Sequence, residues 1–300
     1  MIINDLKNSY QQGNLLSRLI YINLGVFVLI KIIGVFFFLF NLSSYEIIDL
    51  LALPAESKKL LSKPWTIITY MFVHNGFIHL IFNLLWLYFG GTIFLKYLSN
   101  KQIVSTYILG GLTGGLFYVI AFNCFPVFES VLEQSIAVGS SASVLAILIA
   151  IATYVPNYIV NLTFIGRVKL KHIAIVSIVL NLILIPQEKG GQTTALITSI
   201  LSFIAHLGGA FYGFYFSRQL LKGKDTSRWF NNLMDYLVNL FKPTKPLKTA
   251  YKRPMTDDQW RENKSNDKNK INKILDKIAK SGYESLNKEE KETLFKASKK

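Results

Sequence analysis

Acidic side chains are missing from the long apolar stretches of this chain, and charge of either sign is scarce. Of its 300 residues, 17% are charged and 51% hydrophobic. Soluble domains carry about 25% charged residues. The deficit excludes an ordinary water-soluble domain and makes lipid the solvent for most of the chain. Thiol chemistry is nearly absent too. The single cysteine, Cys124, excludes an internal disulfide and a cysteine-rich metal site. No cleavable leader is recognisable, because the first apolar stretch opens near Leu19, exceeds a signal-peptide core in length and lacks a small-residue cleavage site.

What is present is basic. The chain holds 33 Lys and Arg against 18 Asp and Glu, a formal net charge of +15. Twenty of the 33 follow residue 221, outside the apolar region. Such a distribution fits a tail beside anionic headgroups rather than a folded nucleic-acid-binding face, so nucleic acid is excluded as a partner.

Apolar runs near the roughly 20 residues needed to cross a bilayer fall at 19–42, 77–95, 103–122, 136–155, 173–185 and 200–221. The fifth is short, with room to extend back toward Val168. The expected fold is all-α, a polytopic bundle of six transmembrane helices over residues 1–221, followed by a basic cytoplasmic tail over 222–300. Six spans put both termini on one side. Lys7, Arg18, Lys96, Lys101, Arg167, Lys169, Lys171 and Arg218 then face the same side as the tail, against Lys58, Lys59, Lys63 and Lys189 opposite. The positive-inside rule makes both termini cytoplasmic in a multi-pass cell-membrane protein.

The long 43–69 connection, with Pro54, Pro64 and Trp65, is expected at the outer interface. Gly190, Gly191, Gln192, Thr193 and Thr194 mark a flexible lid between the last two spans. In the tail, Trp229, Phe230, Leu233, Leu237 and Leu240 recur at helical spacing over 226–241, as in an interfacial helix. Residues 242–254, with three prolines, read as linker. Ile271, Ile274, Leu275 and Ile278 mark a helix ending near Gly282, and Asn287 with Glu290 resembles a capping box opening another helix to Ala297.

Ionisable groups inside spans are expensive and therefore informative. Here they are Lys31, His79 and His206, with His74 just before the second span. His79 and Asn83 sit four apart on one helix face. Ser141, preceded by Gly139 and Ser140, lies near the outer end of span four, and His206 in the outer half of span six. The four polar groups share one depth. Ala142, Ala146 and Ala150 form a small-residue ridge on span four; Gly209, Gly213 and Ser217 form another on span six, sharing a face with His206. Small residues four apart let helices approach closely, so meeting ridges bring Ser141 to His206. A serine hydroxyl needs a base to take its proton. With no carboxylate in the spans, a Ser–His dyad is what remains. Donors for a developing oxyanion are available in the Ser141 amide, the Asn83 side chain and the His79 ring.

The segment from His74 through His79 and Asn83 resembles the second-span signature of rhomboid proteases. Gly139-Ser140-Ser141-Ala142 resembles their Gly-x-Ser-Gly nucleophile motif, and Ala205-His206 with Gly209 and Gly213 resembles their sixth-span motif. The resemblance covers roughly residues 18–221 and is to bacterial members with a small C-terminal appendage. It implies an intramembrane serine endopeptidase that cleaves transmembrane helices near the outer face. Ser141 would be the nucleophile and His206 the general base; His79, Asn83 and the Ser141 amide would form the oxyanion hole, and His74 would support them. The implied partners are transmembrane protein substrates and membrane lipid, with no cofactor and no metal. Three positions depart from the family pattern: Ala142 replaces the glycine after the nucleophile, Leu145 stands where an aromatic ring often packs on the histidine, and Thr66 follows Trp65 where arginine is common. The competing reading is an inactive relative that binds and escorts membrane helices; such relatives usually lack Ser141 or His206. A small transporter would spread polar groups across the membrane depth, and only Lys31 fits that better.

Overall fold

The computed structural model describes residues 14–42, 45–162, 165–183, 194–240 and 256–298. The chain forms two compact units, Met1–Phe241 and Lys242–Lys300.

The first unit opens with α1 (Leu15–Leu39), whose first turn is capped by Asn14 accepting from the Ser17 amide at 3.0 Å. The long connection that follows is built of short pieces: α2 (Tyr45–Leu51), β1 (Leu53–Pro54), α3 (Ser57–Ser62) and α4 (Thr66–Thr69), then a 3₁₀ turn at Tyr70–Phe72. The Trp65 indole donates to the Leu50 carbonyl at 2.9 Å. Next come α5 (Phe77–Tyr97) and α6 (Asn100–Cys124). A reciprocal Ser99–Gln102 capping box starts α6. The helices α1, α5 and α6 are long and apolar enough to cross a membrane.

The fourth apolar run does not fold as one helix. Expected over 136–155, it gives β2 (Ile136–Ala137), then Gly139 at φ +125°, and only then α7 (Ser141–Tyr154). Two causes act together. The β2 backbone pairs antiparallel with β1, Leu53 opposite Ala137 and Pro54 opposite Ile136. A positive φ at Gly139 then breaks any helical continuation. Ser141 is therefore the first residue of its helix. The fifth run extends back toward Val168 as expected but stops at Leu170. Val168 lies in β4 (Gly166–Lys169), which pairs with β3 (Ile159–Leu162), and α8 begins at Leu170 and ends at Ile183. The sixth run forms α9 (Thr194–Leu221), starting earlier than its apolar residues indicate.

Apolar side chains fill the interior and also cover much of the exterior. Every residue of α7 from Ala142 to Ala152 is buried, among α5, α6, α8 and α9. Asn23, Asn83, Ser105, Thr106, Ser140, Ser143 and Ser217 are buried as well, while α1 exposes Leu29, Ile32, Val35 and Phe36. Polar groups inside and continuous apolar faces outside are the arrangement that lipid demands.

A short helix, α10 (Arg228–Leu240), closes this unit. It lies beyond the 221/222 division read from the sequence, yet Phe230 is buried and Lys101 pairs with Asp235 at 2.6 Å. Its Trp229, Leu233, Leu237 and Leu240 are exposed.

The second unit contains α11 (Asp257–Ser281) and α12 (Lys288–Ser298). The sequence reading started α11 near Ile271; a Thr256–Gln259 capping box starts it four turns earlier. Asn287 and Glu290 form the expected box at the head of α12, with backbone-to-side-chain bonds of 2.8 and 2.9 Å. Lys277 of α11 reaches both Glu290 carboxylate oxygens, at 3.0 and 2.8 Å. This ammonium, followed by the Asn287 amide, holds the Glu290 carboxyl below the usual carboxylate range. A lowered folded-state pKa means that the ionised carboxylate stabilises the unit above the ordinary glutamate range. That stabilisation is lost as pH falls through the folded value. The protection factors of the α12 amides are therefore expected to fall on acidification more steeply in the wild type than in Glu290→Gln, measured by hydrogen–deuterium exchange on the full chain.

Residues 190–193, the core of the expected lid, and the stretch 242–254 read as linker lie outside the described residues.

Candidate active site

Contact between α7 and α9 sets the geometry. A Cβ at Gly209 would land on the Ala142 carbonyl oxygen, and one at Gly213 on the Ala146 carbonyl oxygen. One turn further, the Ser217 hydroxyl donates to the Ala150 carbonyl at 2.6 Å. The two ridges read from the sequence thus meet residue for residue, at backbone-to-backbone range. His206 is one turn before Gly209 and Ser141 is one residue before Ala142, so the contact carries them together. The His206 Nε2 lies 2.6 Å from the Ser141 Oγ.

The polarity of that bond depends on the imidazole tautomer. A serine hydroxyl has one proton to give, and a neutral imidazole has one acceptor nitrogen. With Nε2 accepting from Ser141, Nδ1 carries the hydrogen, and this buried atom has no hydrogen-bond partner among the described residues. Among the described residues no carboxylate orients the ring.

A third helix completes the frame. On α6, a Cβ at Gly114 would meet the Ala142 methyl and the Ala205 carbonyl, and one at Gly110 would strike the Ala146 methyl. The space that the residue after Ser141 fills with a methyl is left open by Gly114 of the facing helix. The sequence reading missed this contribution, although Gly110, Gly111, Gly114 and Gly115 show small residues four apart in plain view.

Two cavities meet at the dyad. One, of about 430 Å³, is lined by Tyr70, His79, Gln134, Gly139, Ser141 and Ala205 among others. The second, of about 330 Å³, is lined by His79, Asn83, Trp86, Ser141, Leu145 and His206 among others. His79 and Ser141 are common to both. Asn83 is buried and donates one side-chain hydrogen to the His79 carbonyl at 2.9 Å. Gly139 is fixed twice over: by its positive φ, and because a Cβ there would come within 2.9 Å of the His79 ring. Leu145 stays against the second cavity, where its side chain fills space without offering a polar group.

Adjacent serines each face a histidine. Ser141 opens onto both cavities, whereas Ser140 is fully buried with its Oγ 3.1 Å from His74 Nε2. Burial, and next the nearby His79, push the His74 imidazole down to about 4. The His74 and His79 rings meet edge-on with centroids 5.3 Å apart. From sequence alone His74 has a supporting place at most, beside the reading of an ordinary interfacial histidine, and no pairing with Ser140 is expected. Ser177 and Asn181 of α8, which line the second cavity, were also missed; their four-residue spacing in an apolar run was the available signal. Among the described residues, no group of three or more His, Cys, Asp or Glu is arranged to hold a metal.

Comparison with known families gives two matches. The Rhomboid domain family model matches residues 61–223, and a family of unknown function, DUF6576, matches residues 255–300. No curated protein matches the chain.

Proposed function

Because the chain belongs to the rhomboid family, we propose that it is an intramembrane serine endopeptidase that cleaves transmembrane helices through a Ser141–His206 dyad. The observation that carries this reading is the 2.6 Å approach of His206 Nε2 to Ser141 Oγ at the junction of two cavities.

The proposed bundle has six spans, α1, α5, α6, α7, α8 and α9, with both termini in the cytoplasm. At 1.5 Å per residue, the 14 residues of α7 reach only about 21 Å. The hydrocarbon core is about 30 Å thick. A helix that starts late on the outer side leaves its first residue in a pit below the outer surface, where water can enter from outside. That placement suits the substrate problem. A membrane helix hides its peptide bonds in its own hydrogen bonds, so its outer end must uncoil into the pit before attack.

In the proposed reaction, Ser141 Oγ adds to the scissile carbonyl as its proton passes to His206 Nε2. The resulting oxyanion takes hydrogen bonds from the Ser141 amide, the His79 ring and the second hydrogen of the Asn83 amide. His206 returns the proton to the leaving amine, giving an acyl-enzyme. Water, deprotonated by His206, then releases the acid and restores Ser141.

Asn83→Ala is expected to lower kcat by about 10²-fold or more, with KM little changed, in detergent-solubilised cleavage assays. The decisive experiment is labelling with a serine-reactive fluorophosphonate. Wild type should be labelled and Ser141→Ala should not. An unlabelled wild type would favour a helix-binding relative without catalysis.

A further inference from the structure

We propose that His74, acting through Ser140, is a positioning residue that fixes the Ser141 turn and leaves the first-turn amides of α7 uncapped. The proposal rests on the protease reading and concerns a residue that touches no reacting atom.

Ser140 occupies the N-cap position of α7, where a serine ordinarily turns its hydroxyl onto an amide of the first helical turn. Here it makes no such bond. Its hydroxyl goes instead to His74, 66 positions earlier in the chain. The direction of that bond follows from the other ring nitrogen. The His74 Nδ1 is 3.3 Å from the Phe72 carbonyl oxygen, which can only accept. Nδ1 therefore carries the hydrogen, and Nε2 of the neutral ring accepts from Ser140. The Ser140 proton is committed to His74, and the amides at the head of α7 keep their hydrogens for the pit.

The anchor is itself anchored. Ser140 sits beside the Tyr107 hydroxyl of α6. That hydroxyl lies 3.1 Å from Asn23 Oδ1 and 3.2 Å from the Met71 carbonyl, while Asn23 also donates to it at 3.0 Å. Asn23 and Tyr107 are fully buried. Asn23 and Tyr107 thus tie α1 and α6 to the Met71 carbonyl, in the turn that leads to His74. On its other side, the His74 ring packs on His79, so one side chain sets both the Ser141 turn and a proposed oxyanion donor. Ser140 is not a spare nucleophile, because it has no access to either cavity.

The test measures fluorophosphonate inactivation rate, kcat and KM for wild type, His74→Ala, Ser140→Ala, the double variant and His74→Gln. A misplaced nucleophile costs on the order of 10- to 100-fold in rate. We expect that loss in kcat and in labelling for both alanine variants, with KM near wild type. The double variant should lose no more than the worse single one, because both remove the same bond. Gln at 74 keeps an acceptor for Ser140 and should recover most of the rate. Ser140→Ala removes one oxygen atom and keeps the readout if His74→Ala does not fold. Wild-type labelling rates in Ser140→Ala, losses that multiply in the double variant, or a Gln variant as slow as alanine would each overturn the proposal. Failure of the protease reading looks different: the wild type would not label, or Ser141→Ala would, and the positioning role would fall with it.

Discussion

Ser141→Ala is expected to lower cleavage of a membrane-spanning test substrate by at least about 10³-fold, since a lone nucleophile has no substitute in a dyad. The adjacent serine cannot take over. Ser140 is fully buried, its hydroxyl is committed to His74, and it lines neither cavity. Nor should the loss reflect unfolding. The substitution removes one oxygen and one hydrogen bond, to His206, a change of about 1 kcal/mol. The Ala142–Gly209 and Ala146–Gly213 contacts that hold α7 to α9 remain. Cleavage is followed by gel, with expression and melting temperature recorded for both proteins. Cleavage within tenfold of wild type would remove Ser141 from the role of nucleophile.

The second large effect is expected at a residue that carries no reactive group. Gly209→Ala adds one methyl, and its position coincides with the Ala142 carbonyl oxygen. Backbone cannot rotate out of the way as a flexible side chain would, so α9 must draw back from α7 just where Ser141 and His206 meet. Overpacking of this kind costs about 1–3 kcal/mol. A displacement near 1 Å at a reacting pair costs about 10²-fold in rate. Gly209→Ala should therefore slow cleavage about as much as losing an oxyanion donor, with both dyad residues intact. Gly34→Ala on α1 is the control, because a Cβ there meets nothing within 4 Å. Trimming the neighbour, as in Gly209→Ala with Ala142→Gly, should not restore the rate, because the clash is with main chain. Equal rates for Gly209→Ala and Gly34→Ala would mean that the α7–α9 spacing does not set the chemistry.

Much of this arrangement was legible because it is periodic. Ala142, Ala146 and Ala150 repeat every four residues, as do Gly209, Gly213 and Ser217, and a helix turns that spacing into a seam. Once both seams are seen, the places of Ser141 and His206 follow. The Asn287–Glu290 box was read the same way, whereas Thr256–Gln259, which bears the same kind of signature, was passed over and α11 was drawn too short. The start of α7 was not legible. Ile136, Ala137 and Val138 continue the apolar run without a break, and the strand conformation of Ile136 and Ala137 depends on Leu53 and Pro54, distant in sequence. The apolar pattern likewise carried span five back toward Val168, where pairing with Val160 prevails. The bond between His74 and Ser140 was hidden for a similar reason: no local pattern announces a contact between a loop and a helix cap.

Among the described residues, the walls of the two cavities contain no aspartate, glutamate, lysine or arginine. In the proposed protease, these described walls would give a substrate no fixed charge to pair with. Discrimination must then run on how readily a segment gives up its helical coil and how small its side chains are. Two unrelated membrane proteins with equally unstable outer ends are then expected to be cut at similar rates by the proposed site.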